Sequence, residues 1–150
     1  MLKNIDPLLN ADLLHALQSM GHGDVLAIVD TNFPSDSVGR ETVVGQALTI
    51  AAPTAARAAE AILSVFPLDT FIPEPARRME VVGSPDERPA VQQEFQAAID
   101  KWEGPQFKLG NVERYAFYEE AKRAYAVVQT GERRFYGCFL LTKGVIPPEG

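Results

Sequence analysis

The chain is poor in the residues that build covalent and metal frameworks. Its 150 residues hold one cysteine and two histidines. Cys138 by itself cannot close an intrachain bridge, which excludes a disulfide-stapled secreted scaffold. With so few imidazoles and thiols, no zinc site of the usual ligands is expected, and no other metal or cofactor is called for. Positive charge is also scarce. Lys+Arg 14 against Asp+Glu 20 leaves a formal net charge of −6. Nucleic acids and anionic membranes are bound by surfaces that displace counterions, so neither is an expected partner. Long apolar runs are missing as well: nothing approaches the ~20 residues of a membrane span. Asp6 and Asp12 fall where a signal peptide would need its apolar stretch, so the cytoplasm is the expected location. What remains, at 46% hydrophobic and 23% charged, is an ordinary globular composition of one-domain length.

The order of patterns predicts an α/β fold, a single domain over residues 1–150. Asn10 caps a helix with Leu13, Leu14, Leu17 and Met20 on one face, and Gly21 is read as its left-handed stop. Val25 to Asp30 is an apolar run without alternation, which suits a strand covered on both faces. Residues 31–41 read as a loop, and Val43 to Ala51 as a second strand. Pro53-Thr54 opens an Ala-rich helix, 67–77 is irregular, and Met79 to Val82 is a short strand. Asp86 caps a helix carrying Val91, Phe95, Ala98 and Trp102. Phe107 to Leu109 reads as a strand, and Asn111 as the cap of a helix with Phe117, Ala121 and Ala124 on its buried side. Ala124 to Gln129 and Cys138 to Thr142 are read as a closing antiparallel hairpin. The sum is a three-layer α/β/α domain with a mixed, mostly parallel sheet.

No phosphate loop, dinucleotide glycine motif, zinc-protease helix, paired-cysteine motif or nucleophile elbow is present. The feature left standing is Gly21-His22-Gly23-Asp24. A histidine between two glycines is exposed and titrates near neutrality, so it suits acid–base work. The alternative is a surface histidine beside a helix stop. Asp30 closes a buried strand, where α/β sheets often contact ligands, or else it only forms a turn. Arg114 sits in a helix first turn, either paired with Glu113 or pointing its fork at sugar hydroxyls or a carboxylate. Tyr118 lies one turn on and can face the same cleft. Tyr136 with Gly137 can approach a ligand at the start of the last strand. His15 reads as a solvated mid-helix residue.

These segments occur in one order: Met20-Gly-His-Gly-Asp24, Asp30 with Asn32-Phe33-Pro34, Arg114-Tyr-Ala-Phe-Tyr-Glu119, Thr130-Gly-Glu-Arg133, Tyr136-Gly137 and Lys143-Gly-Val145. That set resembles the L-fucose mutarotase and D-ribose pyranase family over nearly the whole chain, with the Ala-Phe-Tyr-Glu stretch closer to the fucose branch. The resemblance implies an aldose mutarotase that needs no metal or organic cofactor. His22 falls on the family's catalytic histidine. Asp30, Arg114, Tyr136 and Gly137 fall on sugar-binding positions. Cys138 stands where the family carries asparagine, and the middle region from Pro73 to Pro89 is longer.

Spacing adds one inference. His22 precedes the strand that Asp30 closes, and eight extended residues span roughly 26 Å, wider than a monosaccharide. One chain therefore cannot set both on one sugar unless its glycine loop folds back. The family's ring-shaped oligomers imply a homo-oligomer, a decamer, with sites shared between subunits. The alternatives are a pyranose–furanose isomerase of ribose, a noncatalytic monosaccharide-binding module, and an acid–base enzyme on another substrate.

Overall fold

The computed structural model describes residues 1–149. Six strands form one sheet: β1 (Val25–Val29), β2 (Leu48–Thr49), β3 (Ala76–Met79), β4 (Gly110–Val112), β5 (Ala126–Gln129) and β6 (Phe139–Thr142). Their spatial order is β2-β5-β1-β6-β3-β4. β1, β5 and β2 are parallel, as are β3 and β4, and β6 alone runs against both neighbours.

Five helices cover the sheet: α1 (Ala11–Ser19), α2 (Ser35–Gly39), α3 (Ala55–Leu63), α4 (Ala90–Trp102) and α5 (Arg114–Lys122). Alternating side chains of β1 show the layering. Leu26 and Ile28 pack into a core with α1, α3 and α4, while Ala27 and Val29 pack into a second core with α2 and α5. A strand with both faces covered has no solvent side, which explains its unbroken apolar run. The expected three-layer, mixed and mostly parallel architecture is the one found. Among the described residues no helix is long and apolar enough to cross a membrane.

Several local readings are corrected. The final two strands are antiparallel but form no hairpin, because β1 lies between them. Residues after β5 cross the end of β1 instead of turning back. Thr130 N–H donates to Val29, Gly131 N–H donates to Ala52, and the Glu132 carbonyl accepts from Thr31 N–H. The Glu132 side chain, 2% exposed, accepts from Ala55 N–H and from Arg134. Polar tethers of this kind are invisible to a hydrophobic pattern. Gly21 is not the left-handed residue; Gly23 is, at φ 89°. The second strand shrinks to Leu48–Thr49 because the chain turns at Gly45, φ 82°.

The third strand starts at Ala76, three residues earlier than read. The helix read from Asp86 starts after Pro89, and Ile99 is buried where Trp102 is 44% exposed. The strand read at Phe107 to Leu109 is displaced to Gly110–Val112. Asn111 is therefore a strand residue, and Glu113 caps α5, its carboxylate accepting from Tyr115 and Ala116 N–H. Asn10 caps α1 as the sequence predicts, and Thr54 caps α3, the helix that Pro53-Thr54 opens.

All strands but β6 end at the same edge of the sheet, where β6 begins. That edge collects Asp30, Met79, the start of α5 and the corner before β6. The opposite edge collects His22, the 67–75 connection and Lys143.

Candidate functional site

At the carboxyl edge, Asp30, Asn32, Phe33, Met79, Arg114, Tyr118, Phe135, Tyr136 and Cys138 line a cleft of about 320 Å³. Such crevices are where open α/β sheets bind ligands, since loops there leave backbone groups unpaired. Its volume falls in the range of small-molecule sites.

Asp30 is 4% exposed and ties the cleft together. Its Oδ1 accepts from Asn32 and Phe33 N–H, both at 3.0 Å. Its Oδ2 accepts from Gly137 N–H at 3.2 Å and from the Cys138 thiol at 3.5 Å. The carboxylate thus clamps the 31–33 turn to the corner before β6. A thiol is a weak donor, so Oδ2 keeps acceptor capacity for a ligand hydroxyl. Cys138 itself is 2% exposed and packs with Met79 and Leu140. Burial, with the Asp30 charge beside it, pushes its thiol well above the ordinary value. It stays a neutral, small, apolar wall.

Arg114 occupies the first turn of α5. Glu113 already satisfies the helix end, which leaves the guanidinium free to turn toward the cleft. Its Nε donates to Tyr118 Oη at 3.1 Å, and it stacks over Tyr115 and Tyr118 at 5.4 and 5.6 Å. The Tyr118 contact raises its affinity for the proton further. The remaining guanidinium donors are available to ligand oxygens. We expect Arg114→Ala to weaken monosaccharide binding by about 10–100-fold, the loss of hydrogen bonds to a charged group. Calorimetric titration checks this; unchanged affinity reduces Arg114 to a helix-end charge.

Tyr136 adopts φ 64°, a left-handed conformation rare for a residue with a side chain. Its phenol oxygen accepts from Val82 N–H at 3.2 Å. Gly137 has no room for a Cβ, which would lie 2.8 Å from Glu132 Cγ. The wall from Val81 to Pro85 is held by a fully buried arginine. Arg78 donates to the carbonyls of Glu87 and Pro85 and to Asn111 Oδ1.

His22 lies at the opposite edge, so the sequence-predicted residues are not brought together within one chain. Its Nε2 is 3.0 Å from Asp69 Oδ1, and its ring packs edge-on against Phe71 at 5.1 Å. The imidazole is 41% exposed. An ionised carboxylate only accepts, so Nε2 donates to Asp69 and Nδ1 is the ring nitrogen left to face a ligand. The Phe71 N–H bond, with His22 beside it, holds the Asp69 carboxyl below its usual range despite its burial. A depressed pKa gives stability that is present above the ordinary carboxyl value, about 3.9, and lost as pH falls through the lower folded value. The melting-temperature gap between wild type and Asp69→Asn should therefore be present at about pH 5 and above and close only below about pH 4. A gap that closes by pH 6 contradicts the pairing.

Comparison with known proteins decides the family. Residues 3–146 match the model of the RbsD / FucU transport protein family. The chain belongs to that family. It is 41% identical over 157 residues to a fucose mutarotase of Bos taurus, covering 99% of this chain and 97% of the relative. The crystal structure of protein Atu2016 superposes at TM-score 0.95 with 63% identity, over 98% and 97% of the two chains. A fucose mutarotase of Streptococcus pneumoniae, solved with L-fucose, superposes at TM-score 0.86 with 31% identity, over 97% and 100%.

Sequence reasoning missed several residues that this family member places at the two edges. Asp69 lies 47 residues from His22 in an irregular, proline-flanked connection, where no periodicity marks it. Phe33, Met79 and Phe135 line the cleft but read as ordinary apolar residues. Among the described residues no group of three or more His, Cys, Asp or Glu side chains is arranged to hold a metal ion.

Proposed function

We propose that the chain is an aldose mutarotase, an isomerase that interconverts the α and β anomers of a monosaccharide, with L-fucose as the preferred sugar. The full-length likeness to relatives named fucose mutarotase supports the reaction and the sugar. Within the chain, the carrying observation is the division of labour between the two sheet edges. Arg114, Tyr118, Tyr136 and Asp30 converge on one cleft that contains no histidine. The exposed His22, backed by Asp69, stands at the other edge. Two copies meeting edge to edge complete one site. Apolar side chains exposed at both edges support that meeting: Phe71 and Ile72 near His22, and Val82, Tyr115 and Phe135 around the cleft. A decameric ring closes such a heterologous contact.

Mutarotation needs two proton movements. The anomeric hydroxyl gives up its proton while the ring oxygen gains one, and the C1–O5 bond breaks to the open aldehyde. After rotation of the carbonyl, attack on its other face reverses both transfers. His22 Nδ1 accepts the first proton and returns it, with Asp69 stabilising the imidazolium between, while a water molecule gives the ring oxygen its proton and takes it back on closure. Arg114 and Asp30 hold the hydroxyls. One placed acid–base group supplies about 10²–10⁴-fold, enough for a reaction that already runs in water. The cytoplasm is the proposed location, which fits the mutarotase relatives.

Saturation transfer between the anomeric proton resonances of L-fucose tests the function directly. Added protein should speed the exchange, and D-ribose run in parallel reads pyranose–furanose exchange. Sugar binding without exchange identifies a noncatalytic module instead. Light scattering after size exclusion reads the assembly; a monomer that still catalyses overturns the shared site.

Cys138→Asn addresses sugar choice. An amide here offers Asp30 Oδ2 a stronger donor and replaces an apolar wall with a polar one. The ranking of L-fucose against D-ribose and D-galactose should change with little loss of stability. A lower melting temperature with the same ranking makes Cys138 a core residue only.

A further inference from the structure

α4 packs its buried face with Val91, Phe95, Ala98 and Ile99, all apolar. Gln92 is the exception, polar and only 1% exposed. Its Nε2 donates to the Met79 carbonyl at 2.8 Å and to the Tyr136 carbonyl at 3.1 Å. Its Oε1 is buried with no partner among the described residues. A leucine or methionine would fill this position without an orphaned acceptor, so the amide is poorly explained as packing. Both bonds end on backbone of cleft-lining residues.

Tyr136 needs such support. Its positive φ is unfavourable for a residue with a Cβ and persists only where surroundings hold it. Gly137 N–H is held by Asp30 on one side. The Tyr136 carbonyl is held by Gln92 on the other, and the phenol by Val82 N–H. Through the Met79 carbonyl the same amide fixes the end of β3, whose Met79 N–H donates to the Cys138 carbonyl. One side chain, reaching from behind the sheet, therefore sets the spacing between the two segments that flank the cleft floor.

We infer that Gln92 is a positioning residue for this cleft, holding the Tyr136 corner and the end of β3 in register; its effect on catalysis rests on the mutarotase reading above. Gln92 touches no sugar itself.

The test is Gln92→Met in the full-length protein, labelled with 3-fluorotyrosine and assayed well below its own melting temperature. The chain has four tyrosines, and the ¹⁹F resonance missing from Tyr136→Phe identifies that of Tyr136. In Gln92→Met this resonance should shift or broaden while the other three stay. Exchange of L-fucose anomers at saturating sugar should fall by about 10–100-fold, the cost of misplacing a ligand-facing group by about an ångström. A folded variant with an unmoved Tyr136 resonance and wild-type exchange overturns the inference. If Gln92→Met does not fold, Gln92→Glu, of the same size, turns an acceptor toward both carbonyls and takes the same measurements. Failure of both to fold overturns the positioning role, since the amide then holds the fold itself. If wild type shows no exchange with any sugar, the mutarotase reading fails, while the Tyr136 resonance still tests Gln92.

Discussion

His22→Ala is expected to slow anomer exchange by about 10²–10⁴-fold, to near the uncatalysed rate, because the proposed acid–base group is removed. Folding is little affected. The imidazole is 41% exposed, and its loss removes one of two bonds to Asp69 Oδ1, which keeps the one from Phe71 N–H. Sugar binding persists, because the cleft at the other edge is untouched. Saturation-transfer rates, melting temperature and calorimetric affinity, measured together, separate these effects. Wild-type exchange in this variant removes His22 from the mechanism. Mixing His22→Ala with Arg114→Ala subunits adds a sharper readout. On the proposed shared site each variant lacks a different half, so mixed assemblies should regain some exchange, whereas sites confined to one chain regain none. His15→Ala serves as control and leaves the rate unchanged.

Asp30→Ala has the largest expected effect on stability. It leaves the buried Gly137 N–H without an acceptor and Phe33 N–H with only its 3.4 Å bond to the residue-30 carbonyl. At about 1–3 kcal/mol for an orphaned donor, the loss is about 1–3 kcal/mol. For a domain of this size that lowers the melting temperature by roughly 2–12 °C. Sugar affinity falls with it, since the carboxylate joins the 31–33 turn to the Tyr136–Gly137 corner. A melting temperature equal to wild type, with affinity alone reduced, makes Asp30 a direct sugar ligand and not a tether.

Chain-local physics accounts for what was legible in advance. Asn10 was readable as a cap because its side chain bonds an N–H three residues on. β1 was readable as doubly covered because its apolar run has no polar alternation. His22, Asp30, Arg114, Tyr118 and Tyr136 were singled out by the glycines, strand ends and helix starts around them. The helix start at Glu113 was misplaced onto Asn111 because both side chains can cap. Only the distant Arg78 and Arg88, which both donate to Asn111, decide between them. The expected hairpin failed for a similar reason: β1 inserts between strands that are neighbours in sequence, and sequence proximity carries no penalty against that.

The sequence by itself determined the class of fold, both faces of β1, and the separation of His22 from Asp30 along one strand, because those follow from periodicity and rise per residue. Tertiary structure alone decided which partners meet: Asp69 with His22, Cys138 and Gly137 with Asp30, Gln92 with Tyr136. Each of those pairs but the first spans 44 to 108 residues, and the first spans 47. Hydrogen bonds between such groups are directional and short-ranged, so they exist only once hydrophobic burial has folded the sheet and brought its edges into shape.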